Sequence, residues 1–215
     1  MSYSVKFNPR CRRCERLAGF LAQVRREHPD YHAAPVPPFG VQKPALIIVG
    51  LAPGMHGANA SGRPFTGDYA GILLYKTLHR YGFSNRAEAV HSSDGLRLRR
   101  CRITNAVKCL PPANKPTAGE VRNCNSYLQA ELAERRRGGV ILSLGRIAHD
   151  AVLQALDLKR RDHPFGHGRC FPLAGDGHLL ASYHCSRYNT QTRRLTPAMF
   201  HGIFDKIHEL LDLSN

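Results

Sequence analysis

Residues 45–59 read ALIIVGLAPGMHGAN. The first six carry no apolar–polar alternation, the pattern of a strand covered on both faces, as in a parallel sheet. The strand then runs into a loop punctuated by Gly50, Gly54 and Gly57. Three more runs have the same character: RITNAV (102–107), VILSLG (140–145) and LLASYH (179–184). Turn residues bound each of them. Apolar spacing predicts helices over 12–28, 70–81, 118–135, 146–157, and from Pro197, with Thr196 as N-cap, to about Leu213. Thr117 followed by Glu120 is a capping box that starts the third of these. Strands alternating with helices predict a three-layer α/β/α sandwich around a four-stranded, mainly parallel sheet, as a single domain over 1–215. Residues 84–101 and 158–178 are expected to be loops or insertions.

The polar motifs fall after the strands. GLAPGMHGAN follows the first, Asn105 and KCLPPANKP end the second, and His184 ends the fourth, with CSRYNTQT behind it. Ligands of open parallel sheets bind beyond the carboxyl ends of the strands, so these motifs are expected to meet in one crevice. The glycine loop is no P-loop, because GK[ST] is absent. With no phosphate-loop lysine and no evident Mg²⁺ carboxylate cluster, phosphoryl transfer is disfavoured.

Composition bounds the partners. Lys plus Arg is 31 and Asp plus Glu is 16, a formal charge of +15. Such a balance favours nucleic acid, since basic side chains neutralise phosphates and release counterions. No run approaches eighteen apolar residues and the N-terminus has no signal-peptide stretch, so no membrane partner and a cytoplasmic, nucleoid-associated setting are expected. Seven cysteines are an odd number for a disulfide framework. Cys11 and Cys14 form a CxxC, and Cys109 and Cys124 have fourteen residues between them. Four thiolates suit either tetrahedral zinc or an iron–sulfur cluster. Cys101, Cys170 and Cys185 read as ordinary buried or partly buried thiols.

Together, GLAPGMHGANASGRPFTGD (50–68), TNAVKCLPPANKPT (104–117) and SYHCSRYNTQTRRLT (182–196) resemble the uracil-DNA glycosylase superfamily, above all its type-5, iron–sulfur branch. The resemblance runs from Cys11 to about Thr196. One departure is Cys185, where Pro commonly follows the motif histidine. The resemblance implies a [4Fe–4S] cluster on Cys11, Cys14, Cys109 and Cys124, a monomer, and hydrolytic release of uracil and other deaminated bases such as hypoxanthine from DNA. It also implies catalytic roles for Asp68, Asn105 and His184.

Chemistry gives those roles content. Gly50, Ala52 and Gly54 would shape the floor under a flipped base, glycine permitting close backbone approach. Phe65 would stack on the base, for about 1–3 kcal/mol. Asp68 would steady the cationic sugar or orient water, although an Asp at this position also suits a helix cap. His184 would donate to O2 of the leaving base. The Asn105 amide can pair with a carbonyl beside an N–H, the edge that uracil and hypoxanthine present and cytosine reverses. Residues 186–196, with Ser186, Arg187, Tyr188, Asn189, Arg193, Arg194 and Leu195, would enter the minor groove and hold phosphates. Two rival readings stand at this point: a cluster-bearing or zinc-bearing DNA-binding module without chemistry, and an enzyme of this fold acting on nucleotides or RNA.

Overall fold

The computed structural model describes residues 5–212. The strand that opens the sequence argument, β2 (Leu46–Gly50), is buried at every position. Leu46 and Ile48 pack into one apolar cluster and Ile47 and Val49 into another, so the period-2 alternation of a strand sends its side chains into two separate cores. β2 therefore lies inside the molecule with helices on both faces. Each such aliphatic side chain contributes about 1.5–3 kcal/mol by leaving water.

Six strands form one sheet in the order β1-β3-β2-β4-β6-β5. The middle four are parallel: β3 (Cys101–Asn105), β2, β4 (Val140–Leu144) and β6 (Gly177–Ser182). They are the four expected from sequence. The two extra strands are antiparallel edges, β1 (Phe39–Gly40) and β5 (Cys170–Leu173). Both escape sequence reading because they are short and carry or follow proline, which only an edge tolerates. β5 also gives structure to part of the 158–178 stretch expected to be loop.

α3 (Tyr69–Arg80) and α7 (Pro197–Asp212) cover one face, through Leu74, Leu78, Phe200, Phe204 and Ile207. α4 (Ala118–Ala133) and α5 (Arg146–Ala155) cover the other, through Leu128, Leu132, Ala148 and Val152. α1 (Glu15–Glu27) packs a third, smaller cluster against Val107, Cys109, Leu110 and Cys124. The capping box forms in full: Thr117 Oγ1 accepts from the Glu120 N–H and Glu120 Oε2 accepts from the Thr117 N–H. Glu120 also takes a two-pronged bond from Arg16 at 2.8 and 2.7 Å, which ties α1 to the start of α4. Thr196 caps α7 through the Met199 N–H. The last position expected in that helix, Leu213, lies outside the described residues. Two short helices were not expected: α2 (Ala58–Ser61) and α6 (Arg187–Gln191).

Candidate active site

The carboxyl ends of β2, β3 and β6 open on one cavity of about 340 Å³. Leu51, Ala52 and Gly54 line it from the loop after β2, Asn105 from the end of β3, and His184 and Ser186 from beyond β6. Phe65, Asp68 and Arg187 complete it. The motifs that sequence placed at strand ends do converge, with one adjustment: β6 ends at Ser182, so His184 sits on the exit loop rather than on the strand.

The glycines make room for functional side chains. A Cβ on Gly57 would lie 1.9 Å from Asp68 Oδ1, and one on Gly54 2.6 Å from the same atom. A Cβ on Gly50 would lie 2.5 Å from Asn105 Oδ1 and 2.7 Å from Phe65 Cζ. The loop is thus a mould around Asp68, Asn105 and Phe65. Gly71 does the same for the Phe65 carbonyl, which a Cβ would approach to 1.9 Å.

Asp68 stands at the N-cap position of α3, yet its side chain makes no cap bond. The carboxylate turns back into the site and accepts from the Ala58 N–H at 3.2 Å. Burial raises its pKa above the ordinary carboxylate value, and the Ala58 N–H and nearby His56 only partly offset this. The helix-cap alternative is therefore not the role its carboxylate plays.

Asn105 is buried, and its Oδ1 has no hydrogen-bond partner among the described residues. A buried, unpaired amide oxygen is costly unless a ligand answers it. His184 lines the cavity and is half-buried. Burial lowers its pKa to about 4, so the imidazole is neutral at pH 7. Asn189 Nδ2 donates to the His184 carbonyl at 2.8 Å and fixes that loop. Phe65 and His184 lie with ring centroids 5.8 Å apart and planes 27° from parallel. Phe65 holds a left-handed φ of 56°.

That strained turn is braced by residues the sequence reading passed over. Arg63 forms a buried two-pronged pair with Asp94 at 2.9 and 2.6 Å and donates to Thr66 Oγ1. Asp94 also accepts from the N–H groups of Val90 and Leu96, so residues 84–98 clamp the Phe65 turn. Tyr75 donates to the Pro64 carbonyl from α3. Only the tertiary fold brings Arg63 and Asp94 together.

Segment 186–196 opens as the short helix α6 (Arg187–Gln191). Ser186 Oγ accepts from the Asn189 N–H as its cap. Arg187, Tyr188, Arg193 and Arg194 are exposed, Tyr188 at 70%. The Arg187 guanidinium lies over the Tyr69 ring and that of Arg194 over Tyr183. Leu195, grouped in sequence with the residues expected to enter the minor groove, is fully buried in the core. It cannot leave the protein to do so, and Tyr188 is the exposed apolar side chain of this segment.

Cys11, Cys14, Cys109 and Cys124 come from the entry to α1, the loop after β3 and helix α4, and all seven cysteines are free. The four thiols lie within electrostatic reach of one another: burial first, then Cys124, Cys11 and Cys14, push Cys109 up to about 12. The Lys108 N–H bonds toward Cys124, and Asn123 Nδ2 donates to Cys14 Sγ at 3.4 Å. Among the described residues, no group of three or more His, Cys, Asp or Glu side chains stands arranged to hold a metal ion. The donor chemistry, four thiols from three elements with no disulfide between them, fits a cluster. Cys101 and Cys185 are fully buried and Cys170 partly so. The Cys185 thiol, in the place of the usual proline, packs into the main core near enough to Asp68 for the carboxylate to help raise it.

A cavity at the strand ends with an aromatic floor, a neutral histidine, an unpaired amide and a desolvated carboxylate defines a protein that grips a planar, hydrogen-bonding group. The chain belongs to the uracil-DNA glycosylase superfamily, whose family model matches residues 37–208. It is 47% identical to a type-5 uracil-DNA glycosylase of Thermus thermophilus over 196 residues, covering 88% of this chain and 89% of that one. It is 43% identical to a type-5 uracil-DNA glycosylase of Pyrobaculum aerophilum over 190 residues (86% and 82%). It is 41% identical to one of Mycobacterium bovis over 210 residues (93% and 78%). No helix among the described residues is long and apolar enough to cross a membrane.

Proposed function

We propose that this protein is a monofunctional DNA glycosylase that flips uracil out of DNA and hydrolyses its N-glycosidic bond, leaving an abasic site. The observation that carries the reading is the convergence of Asp68, Asn105, His184 and Phe65 on one cavity. The base stacks on Phe65. Asn105 pairs with the edge that distinguishes uracil from cytosine, and its unpaired Oδ1 receives the ring N–H. As the C1′–N1 bond breaks, its electron pair goes to the base and charge grows on O2. The neutral His184 N–H donates there, from a site where little water screens the bond. Asp68, as carboxylate, faces the oxocarbenium-like sugar and orients the water that adds to C1′. That water loses its proton to Asp68 or to solvent. Neutrality of His184 is useful: the ring is a donor without first having to lose or gain a proton.

Hypoxanthine shares the carbonyl-plus-N–H edge, so it is proposed as a second substrate. Cys11, Cys14, Cys109 and Cys124 are proposed to hold a [4Fe–4S] cluster. When bound, it pins α1 to α4 and the loop after β3 and supplies no step of the excision. The +15 charge supports DNA as the partner. The protein is taken to act as a single domain and a monomer in the cytoplasm, at the nucleoid.

The test is a single-turnover incubation with a labelled duplex holding one G·U pair, followed by alkali. Strand scission at the uracil, absent from a G·C control and lost in His184→Ala, is the expected result. Intact strands from soluble protein that still binds the duplex would refute the uracil assignment and leave a binding module.

A further inference from the structure

A lysine lies buried directly beneath the base-reading amide. Lys108 is 1% exposed, and its Nζ donates to three oxygens: Glu131 Oε2 at 2.7 Å, the main-chain carbonyl of Asn105 at 2.9 Å, and Thr104 Oγ1. Thr104 in turn donates to the same Glu131 oxygen at 2.6 Å. Thr104 and Glu131 are also buried, at 1% and 5%. The group joins the end of β3 to α4.

This cluster is poorly built for stability. Taking both charges out of water costs several kcal/mol per ion, and well-packed apolar residues of similar volume generally do as well or better. It is also incompletely satisfied, because Glu131 Oε1 is buried with no hydrogen-bond partner among the described residues. A half-satisfied buried network is worse than an apolar core. It reaches the site through the ammonium bond to the Asn105 carbonyl. That bond fixes the peptide from which the Asn105 side chain rises, while Gly50, lacking a Cβ, leaves room for the amide oxygen.

We propose that Lys108, held by Glu131 and Thr104, is a positioning residue that sets the Asn105 amide for base recognition. The inference rests on the glycosylase reading. Lys108 touches neither base nor sugar; it acts through the Asn105 main chain.

The test replaces the whole network with apolar residues of similar shape, Thr104→Val/Lys108→Met/Glu131→Leu, so that no charge is left stranded. Thermal melting, binding to a duplex carrying a non-cleavable uracil analogue, and the single-turnover rate on G·U DNA are compared with the wild type. The variant is expected to melt at or above the wild-type temperature, to bind the duplex within about threefold, and to excise uracil at least tenfold more slowly. Asn105→Ala is then added to both backgrounds. If Lys108 works through Asn105, this substitution costs the apolar background much less than it costs the wild type. A folded apolar variant with wild-type rate overturns the proposal, as does a full additive loss from Asn105→Ala. A variant that fails to fold also overturns it, by showing the network to be a requirement of the fold. A wild-type enzyme that releases no uracil defeats the glycosylase reading itself, whereas the outcomes above presuppose an active wild type.

Discussion

At the scale of single residues, the site is a set of environments that neighbouring atoms impose. His184 is neutral because burial lowers it to about 4, so its role as donor is independent of pH across the neutral range. Asp68 is raised by burial, and its proposed role needs the charged form. The excision rate is therefore expected to fall on the acid side through a pKa above that of an ordinary carboxylate, with no second break between pH 6.5 and 8. A pH profile of the single-turnover rate checks this, and Asp68→Asn should flatten the acid limb while lowering the rate. His184→Ala is expected to cost two or more orders of magnitude, about what one lost oxyanion-type donor costs. Gly57→Ala is the least tolerable change in the loop, because its Cβ would lie 1.9 Å from Asp68 Oδ1 and 2.0 Å from the carboxyl carbon. Its activity is expected to fall as far as that of Asp68→Asn.

At the scale of elements, two devices govern the site. The first is the join of α1 to α4, made by Arg16 with Glu120 and, if the proposed cluster is bound, by the four cysteines. Cys11→Ser is expected to reduce soluble yield and iron content together; unchanged folding, iron and activity would remove the cluster from the account. Thr117→Ala, which deletes the cap of α4, should cost about 0.5–2 kcal/mol in a denaturant titration. The second device is α6, which carries Arg187 and, just past its end, Arg194, each arginine resting on a tyrosine ring. If both meet phosphates, replacing either with Ala should reduce the slope of log affinity against log salt by about one. α6 was not legible within 186–196, because its five residues, Arg, Tyr, Asn, Thr and Gln, carry no apolar period. Ser186 was legible as a polar residue, but its use as a cap depends on the backbone turning there.

For the whole molecule, acid stability follows from several buried groups. His184, His149 and His167 all have folded pKa values lowered by burial. Unfolded histidine titrates near 6.5. Between that value and the lower folded ones, the unfolded chain binds more protons, so stability rises with pH there. The contribution is complete above about pH 6.5 and is lost as pH falls through the lowered folded values, about 4 for His184. Asp94 and Glu120, each lowered first by its arginine partner, add a further loss below the ordinary carboxylate range. Melting temperature is thus expected to decline from pH 7 to pH 5, before the Asp94 and Glu120 carboxylates protonate, and His149→Gln should soften that decline. A flat melting temperature over this interval would contradict the assignment of buried neutral histidines.

The sequence by itself determined the four parallel strands, the helices between them and the placement of Gly50, Asn105 and His184 toward one end of the sheet. Each rests on local information: unbroken apolar runs, helical period, capping residues and turn glycines act within a few neighbours along the chain. The edge strands were invisible because two and four residues, one of them Pro172, have no period of their own and exist only against β3 and β6. The direction of the Asp68 carboxylate, the burial of Leu195, the Arg63–Asp94 brace and the Lys108–Glu131 pair were decided only in the folded state. These are contacts between residues far apart in sequence, or choices between two outcomes that local chemistry leaves equal. An aspartate before a helix can cap it or turn away, and a leucine in a basic loop can face water or the core. What settles each is the space left by the glycines and the apolar volume waiting beneath, and neither exists until the sheet and its helices have packed.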